Sequence, residues 1–520
     1  MIKSNFEWVL NHAVRHHHIP VSSQGIREFV QTHHQPTTLS LLSDALNYWA
    51  VDHLAARIGT NELFDSEPTF LAMLRSGNFV FVKQYDKDKV VYLENGKKEK
   101  TINRSGFTKV YNGIAIFIKT RTESGEPGLA DKKAGQRLEN LLLKSSVAFF
   151  LVYLGHEAVM VESWSIGLIL AIFLCCIGVF VLLPAVVKDL SLGEVSLKDV
   201  CDLKPNSGCD SLLKSRFAYV YQWVKWTDLG FIYFFGKLLM AMDPNLLKGP
   251  YTLLGLAVLP FVFYSLFIQW FRLKQFCLIC LSVLLLFLLD GALVLWHADW
   301  AKLDMTFMGR GVFLMLVVSL TYLMLKQTQI KKSSLENTRL SLLKIKRNPI
   351  LFKNAIHQKS KKNIDLDAYP IGLNLTKEQP NLKLLLFVSL DCEGCRTVFL
   401  DLMKLIKSRN WRIQLFFKSS DMDHPAMQEA MNLSNEGNWE AGFEFLEYWY
   451  ADPLTSKSKL KRESRRIARR ELERLMEINE MTAQYYGVSR TPMVVVNGLE
   501  LPGNFNLYDL AYFDQHELWQ

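Results

Sequence analysis

The sequence predicts a multidomain integral membrane protein: a mixed α+β domain, a bundle of five to six membrane helices, and a C-terminal α/β domain. Six apolar runs lie between residues 145 and 325. The mean hydropathy of the 520 residues is only +0.08, which indicates that polar, soluble domains lower the average of an apolar membrane part. A buried-strand pattern at 382–390, directly followed by a C-x-x-C motif, indicates the C-terminal α/β domain.

Residues 1–140 are expected to form the first domain. Two strands joined by a polar turn are predicted at 78–83 and 89–93. Four apolar residues recur at helical spacing before them: Leu39, Leu42, Leu46 and Trp49. We therefore expect a domain of mixed helical and strand structure.

Three stretches of this domain carry a family resemblance. They are Thr38-Leu-Ser-Leu-Leu-Ser-Asp-Ala-Leu-Asn-Tyr-Trp, Ser76-Gly-Asn-Phe-Val-Phe-Val and Gly106-Phe-Thr-Lys-Val-Tyr-Asn-Gly. Together they resemble the papain-like domain of bacteriocin-processing cysteine peptidases, which act on double-glycine leader peptides. The resemblance implies a papain-like α+β fold.

The catalytic residues of that family are missing here. Its chemistry needs a cysteine nucleophile near the N-terminus and a histidine base. The chain has no cysteine before Cys175, and Asn78 stands where the family has its histidine. We expect a pseudo-peptidase that either binds peptides or serves as a scaffold.

No metal site is expected in the chain. Histidines cluster near the N-terminus, at His16, His17, His18, His33 and His34, but no spaced carboxylate or cysteine completes a ligand set. Surface histidines are the better interpretation. The cysteine pairs lie in loop, membrane and soluble contexts, so they are not expected to converge on zinc.

Residues 141–326 are expected to form the membrane bundle. The runs lie at 145–160, 165–187, 229–242, 251–270, 277–296 and 307–325. The first run is short and carries His156 and Glu157, so it is a doubtful span. Adjacent Cys175 and Cys176 are interpreted as helix packing.

The cysteines Cys277 and Cys280 form a C-x-x-C motif at the start of one apolar run. A pair three residues apart lies on one face of a helix. In the first turn both thiols would lie near the positive end of the helix dipole, which favours the thiolate. We predict a redox dithiol at the lipid boundary, where an apolar electron acceptor can reach it.

A second pair, Cys201 and Cys209, lies in the loop after residue 187, with Pro205 and Gly208 between its members. Such a pair can close into a disulfide and reopen when a thiolate attacks it. A static structural disulfide is the alternative interpretation. With two further dithiols in the chain, we favour a disulfide that shuttles electrons.

The loop pair, Ser215 six residues after Cys209, Leu229-Gly-Phe-Ile-Tyr-Phe and the later C-x-x-C resemble the vitamin K epoxide reductase family over about 165–326. The resemblance implies a four-helix bundle that holds a quinone beside the C-x-x-C, with a fifth helix in bacterial fusions. Where the vertebrate enzymes have a tyrosine this chain has Leu284, so a bacterial quinone-linked thiol oxidase fits better than epoxide reduction.

The same resemblance implies roles for five residues. Cys280 would exchange electrons with menaquinone or ubiquinone, and Cys277 would pair transiently with Cys209. Cys201 would take electrons from a thioredoxin-like partner. Ser215 would help to polarise the quinone site.

Residues 327–375 are expected to be a Lys-rich linker, and residues 376–520 a thioredoxin-like domain. A strand followed by Cys392, Cys395 and a helix is the thioredoxin arrangement. The later segment Gly487-Val-Ser-Arg-Thr-Pro-Met-Val-Val-Val-Asn-Gly resembles the part of that fold in which a cis-proline lies against the dithiol. Pro492 would be that proline, and Thr491 would help to hold a bound peptide.

Redox chemistry and charge disagree on topology. Disulfide formation needs an oxidising compartment, which argues for dithiols on the periplasmic or extracellular side of a bacterial inner membrane. The loop around Cys201 and Cys209 is nevertheless rich in lysine, which by charge alone would place it in the cytoplasm. We favour redox chemistry. The first domain is expected to be cytoplasmic if residues 145–160 do not cross the membrane and external if they do. The basic residues before this run, Lys132, Lys133, Arg137 and Lys144, favour the cytoplasm.

The sequence therefore predicts a quinone-dependent thiol oxidase. Its expected partners are reduced or unfolded secreted proteins or peptides, a membrane quinone and double-glycine leader peptides. The net charge of +9 comes with no nucleic-acid recognition motif, so nucleic acid is not an expected partner. The alternative is a leader-binding maturation or export factor with accessory redox domains, and an active peptidase ranks last.

Overall fold

The computed structural model describes residue 519 and residues 4–514, apart from the ranges that follow. They are 36–37, 61, 66–68, 95–98, 161–165, 190–217, 222, 244–245, 247–248, 274–277, 298–306, 359–361, 363–372, 376–378, 418–420, 422–423, 436–438 and 453–468. Four predicted site residues, Cys201, Cys209, Ser215 and Cys277, lie outside the described residues.

The N-terminal domain is α+β. Its helices come first: α1 (Asn5–His16), α2 (Ser23–Thr32) and α3 (Leu39–Tyr48). The strands follow: β1 (Asp52–Arg57), β2 (Phe70–Leu74), β3 (Phe79–Tyr85), β4 (Lys89–Leu93), β5 (Lys100–Asn103) and β6 (Tyr111–Lys119), with α4 (Arg104–Val110) before the last. The antiparallel sheet has the order β1-β6-β2-β3-β4-β5. The predicted helix and both predicted strands are confirmed.

The middle of the chain is helical. Its elements are α5 (Leu129–Met160), α6 (Ile166–Asp189), β7 (Tyr219–Tyr221), β8 (Val224–Lys225), α7 (Trp226–Ala241), α8 (Pro250–Ala257), α9 (Leu259–Phe267), α10 (Leu278–His297) and α11 (Met308–Lys346). A π-helical turn, Ile268–Leu273, extends α9. Among the described residues, three segments are long and apolar enough to cross a membrane: Ile166–Val187, Pro250–Arg272 and Met308–Lys346. Cys280–Trp296 is a shorter apolar helix.

Aromatic packing holds α6, α7 and α10 together. Gly178 of α6 leaves room for the ring of Phe234, because a Cβ there would collide with that ring. Phe234 in turn stacks on Phe287 of α10, with ring centroids 5.0 Å apart. Close approach at a small residue allows the two helices to bury a large ring between them.

The C-terminal domain follows a helix, α11, that runs through Lys346 and so occupies much of the segment suggested as a linker. Its elements are α12 (Pro349–Ile356), β9 (Leu373–Leu375), β10 (Leu382–Val388), α13 (Glu393–Ile406), β11 (Trp411–Phe417), α14 (Pro425–Asn435), α15 (Trp439–Ala451), α16 (Arg469–Tyr486), β12 (Met493–Val496), β13 (Leu499–Glu500) and α17 (Leu507–Tyr512).

The sheet of this domain has the order β13-β12-β10-β11-β9. β10 pairs with β11 in parallel, and β12 pairs antiparallel with β10, so that Phe387 lies opposite Met493. A parallel β-α-β unit followed by an antiparallel hairpin and a closing helix is the thioredoxin fold. The helices α14, α15 and α16 are inserted between β11 and β12.

The chain divides into two compact units. Residues 2–135 and 339–520 form the first, which we call the soluble unit, and residues 136–338 form the second, the membrane unit. The soluble unit therefore contains both the N-terminal and the thioredoxin-like domain. No sequence pattern predicted that the two ends of the chain associate.

Candidate functional site

The soluble dithiol lies at the start of α13. Buried strand β10 ends at Val388, and Cys392 is the N-cap of the helix that follows. The Cys392 sulfur accepts a hydrogen bond from the backbone N–H of Cys395 at 3.3 Å. Backbone N–H groups at a helix N-terminus stabilise a thiolate in this position.

The two thiols of this motif differ in acidity. Burial alone would raise the pKa of the Cys392 thiol, but hydrogen bonds with Cys395, Thr491 and the Gly394 backbone bring that pKa below its usual value. Burial raises the pKa of the Cys395 thiol to about 12. Cys392 is therefore the more acidic thiol of the pair, as expected of a reactive cysteine at a helix N-terminus.

The predicted peptide-binding residues lie against Cys392. The Thr491–Pro492 peptide bond is cis. The Cys392 sulfur lies 3.6 Å from the Thr491 carbonyl oxygen. A Cβ at Gly394 would lie 3.1 Å from Cδ of Pro492, so a glycine there lets the proline approach the dithiol. The structure thus brings together four predicted residues, although their roles stay predictions.

Sequence reasoning missed the residues beneath the buried thiol. The Ser389 backbone N–H donates to the Cys395 sulfur at 3.3 Å, and the Tyr450 hydroxyl donates to the Ser389 carbonyl at 3.0 Å. Burial, and then the nearby Cys395, raise the pKa of Tyr450. Tyr450 belongs to the inserted helix α15, and no motif in the sequence singles it out.

The membrane cysteine Cys280 lies in the first turn of α10, as predicted, and contributes to the wall of an apolar cavity of about 320 Å³. Parts of α6, α7, α8, α9 and α10 form the cavity. Trp226 and Phe261 pack on one another in its wall, with ring centroids 4.6 Å apart. Leu284, which departs from the vertebrate pattern, also lines it.

A buried ionic cluster lies beside this cavity. Asp290 of α10 accepts hydrogen bonds from Lys237 at 2.6 Å, from Tyr251 at 3.2 Å and from Tyr233. Tyr233 also lines the cavity. The available sequence signal was a charged side chain within an apolar run, which holds for Asp290 and for Lys237.

A second buried pair joins α7 to α11. Asp228 pairs with Lys326 and accepts a hydrogen bond from the Tyr322 hydroxyl at 2.6 Å. Asp228 also accepts the backbone N–H of Lys225 at 2.6 Å, which caps α7. The charges of Asp228 and Lys326 therefore compensate each other, as buried surroundings of low polarity require.

In the N-terminal domain, Asn78 is the residue predicted to stand at the position of the family's histidine. Its amide donates to Glu94 at 3.4 Å. The neighbouring Phe79 exchanges two hydrogen bonds with the side chain of Asn5, in the first turn of α1, at 2.7 and 2.9 Å. The side-chain amides of Asn5 and Asn78 thus lie near the start of α1, and an amide group acts neither as a nucleophile nor as a base.

One histidine prediction was wrong. His33 is fully buried, and its Nε2 lies 3.0 Å from the carboxylate of Asp44. It packs between α2 and α3 as a structural residue. His16 and His18 are exposed, as predicted. Among the residues that the structure describes, no group of three potential ligands converges on a metal position.

A thioredoxin-fold dithiol and a cysteine against an apolar cavity are typical of membrane-embedded thiol–disulfide oxidoreductases. Residues 169–295 match the Vitamin K epoxide reductase family, and residues 8–123 match the Peptidase C39 family. The chain thus contains a domain of each family, and both predicted resemblances are confirmed. The first match supports an oxidoreductase with a disulfide-forming function in a membrane.

Among solved structures, the crystal structure of Chlamydia trachomatis DsbA aligns with 29% of this chain and 93% of that chain, at 16% identity and a TM-score of 0.18. Comparison with curated proteins gave no match. The thioredoxin-like assignment depends on the strand order and on the position of Cys392.

Proposed function

We propose that the protein is a quinone-dependent thiol oxidase that generates disulfide bonds in proteins or peptides. A substrate dithiol is oxidised, and its two electrons pass along three cysteine pairs to a membrane quinone. The pairs act in this order: Cys392 and Cys395, then Cys201 and Cys209, then Cys277 and Cys280.

The observation that carries this proposal is Cys280 in the wall of an apolar cavity. A volume of about 320 Å³ lies within the range of small-molecule sites, and the aromatic lining suits a flat, apolar ring. Trp226, Phe261 and Leu284 would hold the ring, and Cys280 would lie beside it. A quinone bound there accepts two electrons and two protons.

The acidity of Cys392 fits the first transfer. A substrate thiolate attacks the Cys392 sulfur of a Cys392–Cys395 disulfide, so that a mixed disulfide forms, the Cys392–Cys395 bond breaks and Cys395 leaves and takes up a proton. The second substrate thiolate then attacks the substrate sulfur of this mixed disulfide, which forms the substrate disulfide, breaks the bond to Cys392 and releases Cys392 as a thiolate. The lowered pKa of Cys392 makes it a good leaving group, so this direction of exchange is favoured.

The proposal includes location and partners. The redox sites work on the periplasmic or extracellular side of a bacterial inner membrane, because disulfides persist in an oxidising compartment. The substrates are reduced or unfolded secreted proteins or peptides. Menaquinone and ubiquinone both fit the chemistry.

Reconstitution tests the relay. Purified protein in lipid with a ubiquinone analogue and a reduced, unfolded substrate should oxidise the substrate and reduce the quinone in equal amounts. Cys280→Ala should abolish this activity. Cys176→Ala is the matched control, because Cys176 is exposed on α6 and is absent from the cavity lining. Quinone-dependent oxidation by the Cys280→Ala variant would refute the relay.

The N-terminal domain favours a second candidate function. The match to the Peptidase C39 family, together with Asn78 in place of a histidine, supports peptide binding without cleavage. In this alternative the protein is a maturation or export factor for a dedicated peptide class. Binding of double-glycine leader peptides to the full chain, tested against a scrambled leader, distinguishes it from the first proposal.

A further inference from the structure

The buried ionic cluster beside the cavity of Cys280 has no role in the electron path proposed above. Its four residues come from three helices: Tyr233 and Lys237 of α7, Tyr251 of α8 and Asp290 of α10. None of them is more than 7% exposed. Ionisable residues inside membrane segments are expensive to bury, and they commonly mark paths for protons, ions or substrates. Packing alone therefore does not account for the cluster.

Asp290 is the common acceptor of the cluster. Its Oδ2 atom accepts hydrogen bonds from the Tyr233 hydroxyl and from the Lys237 ammonium, the latter at 2.6 Å. Its Oδ1 atom accepts from the Tyr251 hydroxyl at 3.2 Å. Because Tyr233 and Lys237 share one oxygen atom, a continuous hydrogen-bonded route leads from Lys237 through Asp290 to Tyr233.

Tyr233 joins this route to the cavity. Of the four residues, all of them described by the structure, Tyr233 is the only one that lines the cavity. Its ring packs edge-on against Phe287, another residue of the wall, with ring centroids 5.0 Å apart. The phenol thus has its ring at the cavity and its hydroxyl on Asp290.

Cys280 and Asp290 mark two levels of the site along α10. They are ten residues apart, which is about 15 Å at 1.5 Å per residue. Leu284 and Phe287 lie between them and line the cavity. A 1,4-quinone carries its two oxygens at opposite ends of its ring. A ring held against Leu284 and Phe287 can therefore turn one oxygen to Cys280 and the other to Tyr233.

Asp290 does not depend on the Tyr233 hydroxyl alone. The Lys237 ammonium compensates the charge of Asp290, and Tyr251 donates to its other oxygen. Lys237 is held in turn by the ring of Tyr251, whose centroid lies 3.7 Å from Nζ. Tyr233 can therefore turn its proton elsewhere without leaving a buried carboxylate unpaired.

A donor role for this cluster rests on the proposed function, in which the cavity holds a quinone. Added electrons make the ring oxygens basic, and an apolar wall cannot stabilise negative charge on them. We propose that Tyr233 is the proton donor to the ring oxygen remote from Cys280, and that Lys237 resupplies Tyr233 through Asp290.

Protons and electrons balance over one turnover. Oxidation of Cys277 and Cys280 breaks two S–H bonds, forms one S–S bond and releases two electrons and two protons. Both electrons and two protons end in two new O–H bonds of the quinol. One thiol proton goes to the oxygen near Cys280, whereas Tyr233 protonates the other oxygen and takes a proton from Lys237 through Asp290. The second thiol proton is released, and Lys237 takes up one in its place.

Two further titratable groups face this route without belonging to it. Tyr251 donates to the oxygen of Asp290 that Tyr233 and Lys237 do not use. The thiol of Cys175, on α6, hydrogen-bonds with the Tyr251 hydroxyl. Neither Tyr251 nor Cys175 is among the described residues that line the cavity. Tyr251 therefore makes a matched comparison for Tyr233.

The variants Tyr233→Phe and Tyr251→Phe of the full chain, reconstituted in lipid, test the assignment. Each removes one hydroxyl that donates to Asp290 and keeps its ring, including the ring beneath Lys237. The protein is first reduced and freed of reductant. It is then mixed with a saturating ubiquinone analogue, and the rate of quinone reduction is followed between pH 6 and pH 8.

The two variants should differ in rate. Tyr233→Phe should reduce the quinone at least about tenfold more slowly at pH 8, since a positioned proton donor contributes about 10²- to 10⁴-fold. Tyr251→Phe should stay within about threefold of the unchanged chain, because it leaves the donor in place. The rate of Tyr233→Phe, divided by that of the unchanged chain, should rise as the pH falls, because its proton must come from solution. This ratio cancels the dependence of both proteins on the thiolate.

Binding of the quinone is a readout that does not require turnover. Trp226 lies in the cavity wall, so bound quinone should quench its fluorescence, and the signal lost in Trp226→Phe identifies that contribution. Oxidised Tyr233→Phe should bind the ubiquinone analogue with an affinity reduced by at most about tenfold, the effect of one lost hydrogen bond. Retained binding also shows that the cavity of this variant is intact.

Equal rates for Tyr233→Phe and Tyr251→Phe would overturn the assignment of Tyr233 as the donor. A slow Tyr233→Phe whose rate ratio is the same at every pH would also overturn it, because the hydroxyl would then only orient the ring. Quinone reduction that survives Cys280→Ala, or that is absent from the unchanged chain, would instead refute the proposed function, and the donor role with it. The two failures are therefore separate results.

Discussion

The Nζ atom of Lys237 lies 2.6 Å from the Oδ2 atom of Asp290, and both side chains are almost completely buried in the membrane unit. Lys237 also lies over the ring of Tyr251, 3.7 Å from its centroid. Each charge compensates the other in surroundings that cannot solvate it. The pair therefore fixes the contact between α7 and α10 beside the cavity of Cys280.

Breaking this pair should destabilise the membrane unit. Lys237→Met leaves Asp290 buried without a counter-ion, and loss of one partner of a buried pair costs about 3–5 kcal/mol. The double variant Lys237→Met/Asp290→Leu should recover much of that loss, because no charge is left unpaired. Unfolding in mixed detergent micelles, followed by tryptophan fluorescence, measures both changes.

Lys332→Met is the control for this prediction. Lys332 and Glu139 are both mostly exposed, so loss of their ion pair should cost less than about 1 kcal/mol. Equal destabilisation by Lys237→Met and Lys332→Met would show that burial of the Lys237–Asp290 pair has no energetic role.

The two soluble thiols should react at different pH. Because the pKa of Cys392 is lowered, more of it is thiolate at pH 7 than in a free cysteine, and iodoacetamide should modify it first. The rate should fall as the pH drops through this lowered pKa. In Cys392→Ser, the remaining Cys395 should stay unreactive until strongly alkaline pH, since its own pKa is raised to about 12.

The lowered pKa of the Cys392 thiol also affects the stability of the folded, reduced protein. A thiolate favoured in the folded state stabilises reduced protein above the pKa of an unfolded thiol, and this contribution is lost as the pH falls through the lower folded pKa. Indistinguishable alkylation profiles of Cys392 and Cys395 between pH 6 and pH 9 would contradict the assignment of Cys392 as the more acidic thiol.

Local sequence patterns predicted that the C-x-x-C would lie at the start of a helix and that Pro492 would lie against it. The short apolar run before Cys392 is typical of a buried strand, and a C-x-x-C after such a strand is typical of the start of a helix in the thioredoxin arrangement. Pro492 was predictable from its own segment. Tyr450 was not, because it reaches Ser389 from an inserted helix 61 residues away.

Long-range association could not be predicted from local patterns. Arg409 is one basic residue among many in the sequence, and its partners are backbone carbonyls 361 and 362 residues away. Every residue has a backbone carbonyl, so the sequence does not show which carbonyls accept a hydrogen bond from Arg409. Likewise, Lys237 shows in the sequence as a charge within an apolar run, but only the packing of the helices selects Asp290 as its partner.

Filling the apolar cavity should impair the quinone reaction. Leu284 is 4% exposed and lines the cavity, so Leu284→Trp would occupy part of its volume. We expect a fall of at least tenfold in quinone reduction, with unchanged alkylation of Cys392. The adjacent Leu285 is 57% exposed, and Leu285→Trp should leave the rate within about twofold because it faces outward.

Overpacking can also lower stability, by about 1–3 kcal/mol, so the unfolding midpoint of Leu284→Trp must be measured beside its rate. Normal quinone reduction by a stable Leu284→Trp variant would remove the cavity from the proposed mechanism.

Arg409 should hold the N-terminal domain on the thioredoxin-like domain. Arg409→Met removes the donor for the Asn47 and Tyr48 carbonyls and leaves the buried carboxylate of Asp514 without its cation, at a cost of about 3–5 kcal/mol. The N-terminal domain should then become sensitive to limited proteolysis at lower temperature. Lys407→Met, two residues earlier and exposed, should not change the cleavage pattern. If both variants resist protease as the unchanged chain does, Arg409 does not stabilise the interface, and the shared hydrophobic core alone holds the two domains together.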